Sequence, residues 1–245
     1  MGDWRPIWRF ALGVGLLTAA CVTAKATMAA ELPVELELVL TADTSSSIRG
    51  SEFDLQIKGY ADAFRDPGVV AAITGLGGNG IAAAFVQWSA TFQQIEAVGW
   101  TQIRNAEDAR RFADAIERQA RRFTGFGTAT GSAMMHAAAM FENNGFTGKR
   151  RVIDISSDER SNQGRHPESA RDLILEKGIT INGLAVQDRT DYLIGYFEDH
   201  VIGGPGAFVL PVSGFPDFAE AIRRKLIREI SDTPLARLEG VSHRN

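Results

Sequence analysis

The sequence predicts an α/β protein with a doubly wound, mostly parallel central sheet and helices on both faces. Short apolar runs typical of strands alternate with helical patterns along most of the chain. Two of these runs end abruptly in carboxylate and hydroxyl residues, at the sheet edge where open α/β folds carry their ligand-binding loops. The chain has 245 residues, 44% apolar and 23% charged, and this composition fits one globular domain.

The first half of the chain predicts three strands and a helix. Residues 34–42 alternate apolar and acidic and then become continuously apolar, which is typical of a strand entering a buried parallel sheet. Apolar residues at three- and four-residue steps predict a helix over 50–64, ended by an Asp-Pro pair. A short apolar piece over 69–73 precedes a strand over 81–88 and an antiparallel or edge strand over 92–100.

The second half of the chain continues the alternation of predicted strands and helices. Helices are predicted over 105–122 and 132–141, on either side of a glycine-rich loop. A strand beginning at Arg151 ends in a Ser-Asp pair. The remaining elements are a helix from about Pro167, strands over 179–186 and 208–212, and a closing helix over 218–230.

Residues 1–30 have the layout of a secretory signal peptide. Arg5 and Arg9 precede an apolar run, and small residues continue to Ala30, near which we expect cleavage. The apolar run is too short for a stable membrane span, and Lys25 lies close to it. We therefore expect a periplasmic or secreted protein.

The mature chain is then predicted to contain a domain over 34–230 and a flexible C-terminal tail over 231–245. An alternative to cleavage near Ala30 is lipidation, because residues 17–21 resemble a bacterial lipoprotein box ending in Cys21. Cys21 is the only cysteine, so a mature chain without it can form no disulfide.

The charge balance argues against nucleic acid or an anionic membrane as the main partner. The chain carries a net charge of −4, and residues 1–30 contribute +2 of it, so the mature protein would be near −6. Binding to nucleic acid or to anionic lipid needs a basic surface. We interpret the local basic runs at 110–111, 121–122, 149–151 and 223–225 as solvated faces and strand flanks.

Oxygen-bearing side chains follow the ends of the predicted strands. Asp43, Ser45 and Ser47 stand at alternate positions after the first strand, a pattern that by itself is more typical of a turn and a helix cap. Thr128 lies in the glycine-rich loop, and Asp158 ends the strand that begins at Arg151. If these loops face one crevice, two carboxylates and three hydroxyls surround one cation, and such a ligand set suits Mg²⁺ or Mn²⁺ better than zinc.

The same residues resemble the metal-ion-dependent adhesion site of the von Willebrand factor type A domain. That pattern is Asp-x-Ser-x-Ser, a distant Thr and a later Asp, and here it reads residues 43–47, Thr128 and Asp158. The resemblance extends over about 34–230 and implies the Rossmann-like fold of that family. Residues 152–156 and 202–208 further resemble a bacterial secreted subgroup that has no assigned activity.

The resemblance also implies roles for the site residues. Ser45, Ser47 and Thr128 would bind the ion directly or nearly so, and Asp43 and Asp158 would often act through water. An open coordination position would receive an acidic side chain from a partner protein. Glu159 departs from the family pattern, which has Gly there, and Asp154 lies inside a strand, where we expect a paired structural acid.

These observations predict a non-enzymatic, divalent-metal-dependent protein-binding module of the bacterial envelope. A metal-dependent hydrolase and a regulatory subunit of a nucleotide-driven machine are the alternatives. The sequence contains no Gly-x-Ser-x-Gly elbow and no His-Glu-x-x-His pair. Its histidines are scattered, at His136, His166, His200 and His243.

Overall fold

The computed structural model describes residues 1–2, 30–186 and 192–231. The chain divides into two compact units, Met1–Ala30 and Glu31–Asn245, and the second contains every described helix and strand. Apart from Met1, Gly2 and Ala30, the predicted signal peptide with Cys21 lies outside the described residues, as does the predicted tail after Ser231. None of the helices in the described ranges is long and apolar enough to cross a membrane.

One six-stranded sheet organises the second unit. Its strand order is β3-β2-β1-β4-β5-β6, and every neighbouring pair is parallel except β2 and β3. The sheet is therefore mostly parallel, with one antiparallel edge strand, as predicted. The strands are β1 (Leu32–Asp43), β2 (Ile81–Trp88), β3 (Gln94–Ile103), β4 (Phe146–Ser157), β5 (Thr180–Val186) and β6 (Val209–Val212).

Helices cover both faces of this sheet, in agreement with the predicted fold class. Successive residues of β1 point to opposite faces, so Leu38 and Leu40 pack in one apolar cluster and Val39 in the other. Helices α1, α2, α3 and α7 cover the first face, and α4, α5 and α6 cover the second. They are α1 (Gly50–Arg65), α2 (Pro67–Gly75), α3 (Ala106–Glu117), α4 (Thr130–Ala139), α5 (Pro167–Glu176), α6 (Tyr192–Tyr196) and α7 (Phe218–Ser231).

Three segments differ from the sequence prediction, and the first is β4, which begins at Phe146 instead of Arg151. The apolar piece over 69–73 belongs to helix α2, whose first turn is capped by Asp66 through hydrogen bonds from the amides of Gly68 and Val69 at 2.8 and 3.3 Å. Helix α3 ends at Glu117 instead of continuing to residue 122. The later residues are held by Gln87 of β2, which bonds the carbonyl of Ala120 and the amide of Arg122 at 3.0 and 2.9 Å.

A buried ion network joins β4 to α7. Lys225 is fully buried, and its Nζ lies 2.8 Å from Asp154 Oδ2 and 2.5 Å from Glu229 Oε1. Asn182 of β5 donates a hydrogen bond to the same Glu229 oxygen at 2.9 Å. The prediction that Asp154 is a paired structural acid is confirmed, whereas the interpretation of the 223–225 run as a solvated face is wrong for Lys225.

Candidate metal centre

The loop after β1 is built around the carboxylate of Asp43, which is fully buried. Its Oδ1 accepts a hydrogen bond from the backbone amide of Ser45 at 2.8 Å, which closes a tight turn at the end of the strand. Its Oδ2 accepts a hydrogen bond from Ser157 Oγ, at the end of β4, at 2.5 Å. Asp43 therefore ties together the ends of two neighbouring parallel strands.

Three further oxygens converge beside this carboxylate. Ser45 Oγ lies 3.0 Å from Ser47 Oγ, which donates a hydrogen bond to Asp158 Oδ1 at 2.9 Å. Adjacent ligands of an octahedral Mg²⁺ ion, each about 2.1 Å from the metal, lie about 3 Å from one another. The spacing of the Ser45, Ser47 and Asp158 oxygens therefore fits adjacent corners of such a coordination shell.

In the described part of the chain, Thr128 is not bonded to these oxygens directly and contacts Glu159 instead. The Thr128 hydroxyl donates a hydrogen bond to Glu159 Oε2 at 3.2 Å, and among the described residues no hydrogen bond joins it directly to the two serines or the two aspartates. The backbone of Thr128 is fixed by Asn162, which accepts from its amide and donates to its carbonyl, both at 2.9 Å. The structure thus brings four of the five predicted residues into one hydrogen-bonded chain and places the fifth beside Glu159.

A glycine allows the threonine loop to approach its neighbour. Gly127 has a φ of +116°, a conformation that residues with a side chain rarely adopt. A Cβ at this position would lie 1.4 Å from Gln163 Nε2. The loop that carries Thr128 therefore depends on glycine at residue 127.

Arg121 supports the site, and the sequence analysis did not find it. Its Nη2 donates hydrogen bonds to the carbonyls of Thr44 and Ser45 at 2.7 and 2.6 Å, and its Nε donates to Phe123 O at 2.8 Å. The interpretation of the 121–122 run as a solvated face is wrong for this residue. No local pattern marks Arg121, because the Thr44 and Ser45 carbonyls that it binds lie more than seventy residues earlier in the chain.

Replacing Arg121 with alanine is expected to weaken divalent-metal binding by about 10- to 100-fold, the usual effect of losing a group that orients metal ligands. The guanidinium fixes the backbone of Thr44 and Ser45 without offering an oxygen to the metal. Isothermal titration calorimetry with Mg²⁺ measures the change. Arg122→Ala is the matched control, because the Arg122 side chain is exposed, and equal affinities for the two variants would contradict this role.

The site also concentrates negative charge. Burial raises the pKa of Asp43 to about 6, and the nearby Glu159 carboxylate adds to the shift, while hydrogen bonds from Ser157 and Ser45 oppose it. Burial likewise raises the pKa of Asp158 to about 7, with the Asp43 and Glu159 charges adding to the effect and the bond from Ser47 opposing it. A divalent cation would relieve this repulsion between carboxylates.

The raised pKa of Asp158 predicts a pH-dependent effect on the metal-free protein. A carboxyl whose folded-state pKa exceeds its ordinary value of 3.8 contributes stability below that value, and the contribution is lost as the pH rises through about 7. Asp158→Asn should therefore raise the melting temperature in EDTA at pH 8 and give a smaller gain at pH 5. Thermal unfolding at both pH values measures this, and an equal change at the two would refute it.

Other metal-binding groups are not found in the described ranges. No three His, Cys, Asp or Glu side chains there form a cluster that could hold a metal ion. A cation beside Asp43 therefore needs the hydroxyl oxygens as ligands. His136 on α4 is half-buried, and burial lowers its pKa while the carboxylate of Glu96 on β3 opposes the shift.

Comparison with protein families identifies the chain. Residues 33–234 match the family model described as "Protein of unknown function (DUF1194)". The chain belongs to the DUF1194 family. The match covers all six strands of this DUF1194 chain apart from the first residue of β1. No curated protein sequence matches it.

Solved structures confirm the fold of this DUF1194 domain. Proximal thread matrix protein 1 from the mussel byssus superposes with a TM-score of 0.60 at 16% identity, over 82% of this chain and 48% of that one. A second structure of the mussel protein, described as having a zinc-occupied MIDAS motif, gives 0.57 at 18% identity with the same coverage. The DUF1194 chain spans about half the length of the mussel protein.

A bacterial structure matches the DUF1194 chain over most of the length of both proteins. The vWF domain of the type V pili tip protein Mfa5 from Porphyromonas gingivalis gives a TM-score of 0.54 at 13% identity, over 83% of this chain and 97% of that one. The DUF1194 domain therefore has the von Willebrand factor type A fold that the motif predicted. At sequence identities of 13–18%, these similarities establish a shared fold and nothing more.

Proposed function

We propose that this chain is a non-enzymatic, divalent-metal-dependent protein-binding module of the bacterial envelope. The observation that carries the proposal is the convergence of the Ser45, Ser47 and Asp158 oxygens at 3.0 and 2.9 Å. Hydroxyl and carboxylate oxygens at this spacing fit a small octahedral cation. The surrounding fold, which the pilus tip domain shares, supports the same reading.

Each site residue has a part in this proposal. Ser45, Ser47 and Thr128 would offer hydroxyl oxygens to the cation, and Asp158 would offer a carboxylate or hold a bound water. Asp43 would act mainly through its hydrogen bonds to Ser45 and Ser157, which set the loop. The bound cation supplies the positive charge that attracts an acidic side chain of a partner protein.

The cation proposed is Mg²⁺, or Mn²⁺ in its place. All the available donors are hard oxygens, and zinc prefers imidazole and thiolate ligands. The zinc described in the MIDAS motif of the mussel protein makes Zn²⁺ the competitor to be titrated beside them. Calorimetric titration with each ion ranks the three.

Two exposed phenylalanines lie on loops joined to the site. Phe126 is 89% exposed in the loop before Thr128, and Phe92 is 96% exposed in the turn between β2 and β3. Gln163 connects the two loops: its Oε1 accepts from the Thr91 amide and hydroxyl at 3.2 and 3.1 Å, and its Nε2 donates to Phe126 O at 3.4 Å. Exposed apolar side chains that lie close together form protein contacts in many proteins. We propose that the partner places apolar residues beside its acidic one.

Affinity capture from envelope extract tests the function. The wild-type domain should retain a partner in Mg²⁺ and release it in EDTA, because the cation completes the contact. The combined Phe92→Ser and Phe126→Ser variant should lose most of the partner while keeping its Mg²⁺ affinity. Exposed Leu55→Ser, on α1, is the matched control. Capture that EDTA does not change would overturn the proposal.

The proposed location in the cell envelope depends on the predicted signal peptide, residues 1–30. Cleavage near Ala30 would release the domain into the periplasm or medium, and lipidation at Cys21 would instead anchor it to a membrane. The mass of the mature N-terminal peptide distinguishes these routes. Uncleaved protein in the cytoplasm would contradict both.

A further inference from the structure

A cavity lies at the opposite end of the sheet from Asp43 and Asp158. Its volume is about 540 Å³, and it opens between the first halves of β4 and β5, the loop before β6 and the last turns of α7. Val152 of β4 lines it, and Asp158 lies six positions further along the chain, a distance of about 20 Å in extended strand. Cavities of this volume hold small-molecule ligands in many proteins.

Basic side chains dominate the charged lining of this cavity. Lys149, Arg150, Arg151 and Arg228 all line it, and Glu229 is the acidic residue among the lining residues described. Glu229 is paired with Lys225, at 2.5 Å, and Lys149 is paired with Glu35, at 2.7 Å, so neither residue adds to the net charge of the lining. The protein as a whole is acidic, with a net charge of −4, so this local excess of positive charge is not a general property of its surface.

Arg228 is the most distinctive of these groups. Its guanidinium carbon lies 3.6 Å from the centroid of the Phe208 ring, so a cation–π contact fixes its position. No described residue forms a hydrogen bond or an ion pair with the Arg228 guanidinium, which leaves its N–H groups available to a ligand. Burial lowers the pKa of Arg228 while the nearby Glu229 carboxylate opposes the shift, and a bound anion would compensate for the lost hydration.

Hydrogen bonds join the elements that line the cavity beside Arg228. Arg150 of β4 donates hydrogen bonds to the carbonyls of Glu229 and Ile230 at 2.9 and 2.8 Å and so fixes the end of α7 on the sheet. Arg151, the next residue, donates to the carbonyl of Lys177 at the end of α5. The cationic groups are thus held in place before any ligand binds, which lowers the entropic cost of binding.

We propose that this cavity binds a small ligand that carries a phosphate group. Guanidinium groups recognise phosphate oxygens through paired, charge-assisted hydrogen bonds, and several cations around one cavity suit a multiply charged anion better than a single carboxylate. The cavity has more room than a phosphate alone needs, so the ligand would carry a further organic portion. This site is separate from the metal centre and does not depend on the function proposed for it.

Calorimetry in EDTA tests the site with three probes: inorganic phosphate, phenyl phosphate, and phosphatidylcholine vesicles with and without phosphatidylglycerol. Wild-type protein should bind a phosphate probe saturably, and Arg228→Gln should weaken that binding about tenfold or more. Arg151→Gln is a second variant that should weaken it. Arg110→Gln is the matched control, because Arg110 is an exposed arginine on α3, far along the chain from the cavity. Circular dichroism verifies that each variant is folded.

The three probes separate the sources of phosphate. Binding of phenyl phosphate that Arg228→Gln weakens assigns the site to a soluble phosphate ester. Binding only to vesicles with phosphatidylglycerol, again weakened by Arg228→Gln, assigns it to a lipid headgroup. Equal affinity in wild-type protein and Arg228→Gln, or no saturable binding to any probe, overturns the proposal.

Discussion

Combined replacement of Asp43 and Ser45 by alanine is expected to abolish saturable Mg²⁺ binding. Asp43 sets the loop by accepting the amide of Ser45, and Ser45 offers one of the three converging oxygens. Removing both eliminates a ligand and the group that orients it, a loss of at least about 100-fold in affinity. Isothermal titration calorimetry measures the change in dissociation constant.

Ser46→Ala is the matched control for that pair. Ser46 lies in the same loop, but its side chain is exposed and forms none of the hydrogen bonds of the site. The control should bind Mg²⁺ like the wild-type protein. If the double variant also retained wild-type affinity, the assignment of the metal site to this loop would be wrong.

Replacing Lys225 with methionine is expected to lower the free energy of unfolding by about 3–5 kcal/mol. The ammonium group lies between Asp154 and Glu229 in a fully buried environment, and its removal would leave two buried carboxylates without a counter-charge. Urea unfolding followed by circular dichroism measures the loss. The effect should be smaller at acidic pH, because burial raises the pKa of Asp154 to about 7 and protonation then removes its charge.

The exposed pair of Lys58 and Asp62 provides the comparison for Lys225. The two groups lie 2.5 Å apart on helix α1, and the side chain of Lys58 is 64% exposed. Lys58→Met should change the free energy of unfolding by about 1 kcal/mol or less, because solvent screens a surface pair. A similarly small loss for Lys225→Met would show that the buried network contributes little to stability.

Local sequence patterns are enough to predict the fold class and which side chains meet at the strand ends. Continuous apolar runs indicated a buried parallel sheet, because both faces of such a sheet are covered by helices. Asp43, Ser45 and Ser47 were recognised from their spacing, and Asp158 from its place after a later strand. Because parallel strands present their carboxyl ends to one crevice, these residues are predicted to lie close together.

The residues that the sequence analysis misjudged are those whose role depends on distant partners. Arg121 and Lys225 both stand in basic runs, which usually form solvated faces. Arg121 binds carbonyls of the β1 loop, and Lys225 neutralises an acid of β4, and neither partner is near in sequence. A sequence pattern reports on neighbours along the chain, so it cannot reveal a contact that only the packing of α7 or the turn after α3 creates.

The pairing of β1 with β4 sets the geometry of the candidate metal centre. Ala42 is paired with Ser156, so the strand register sets Asp43 beside Ser157 and brings Asp158 to Ser47. A slip of two residues would move the two halves of the centre about 7 Å apart. A cation bound there would therefore stabilise only the correctly aligned sheet, and only after residue 158 has joined residue 43.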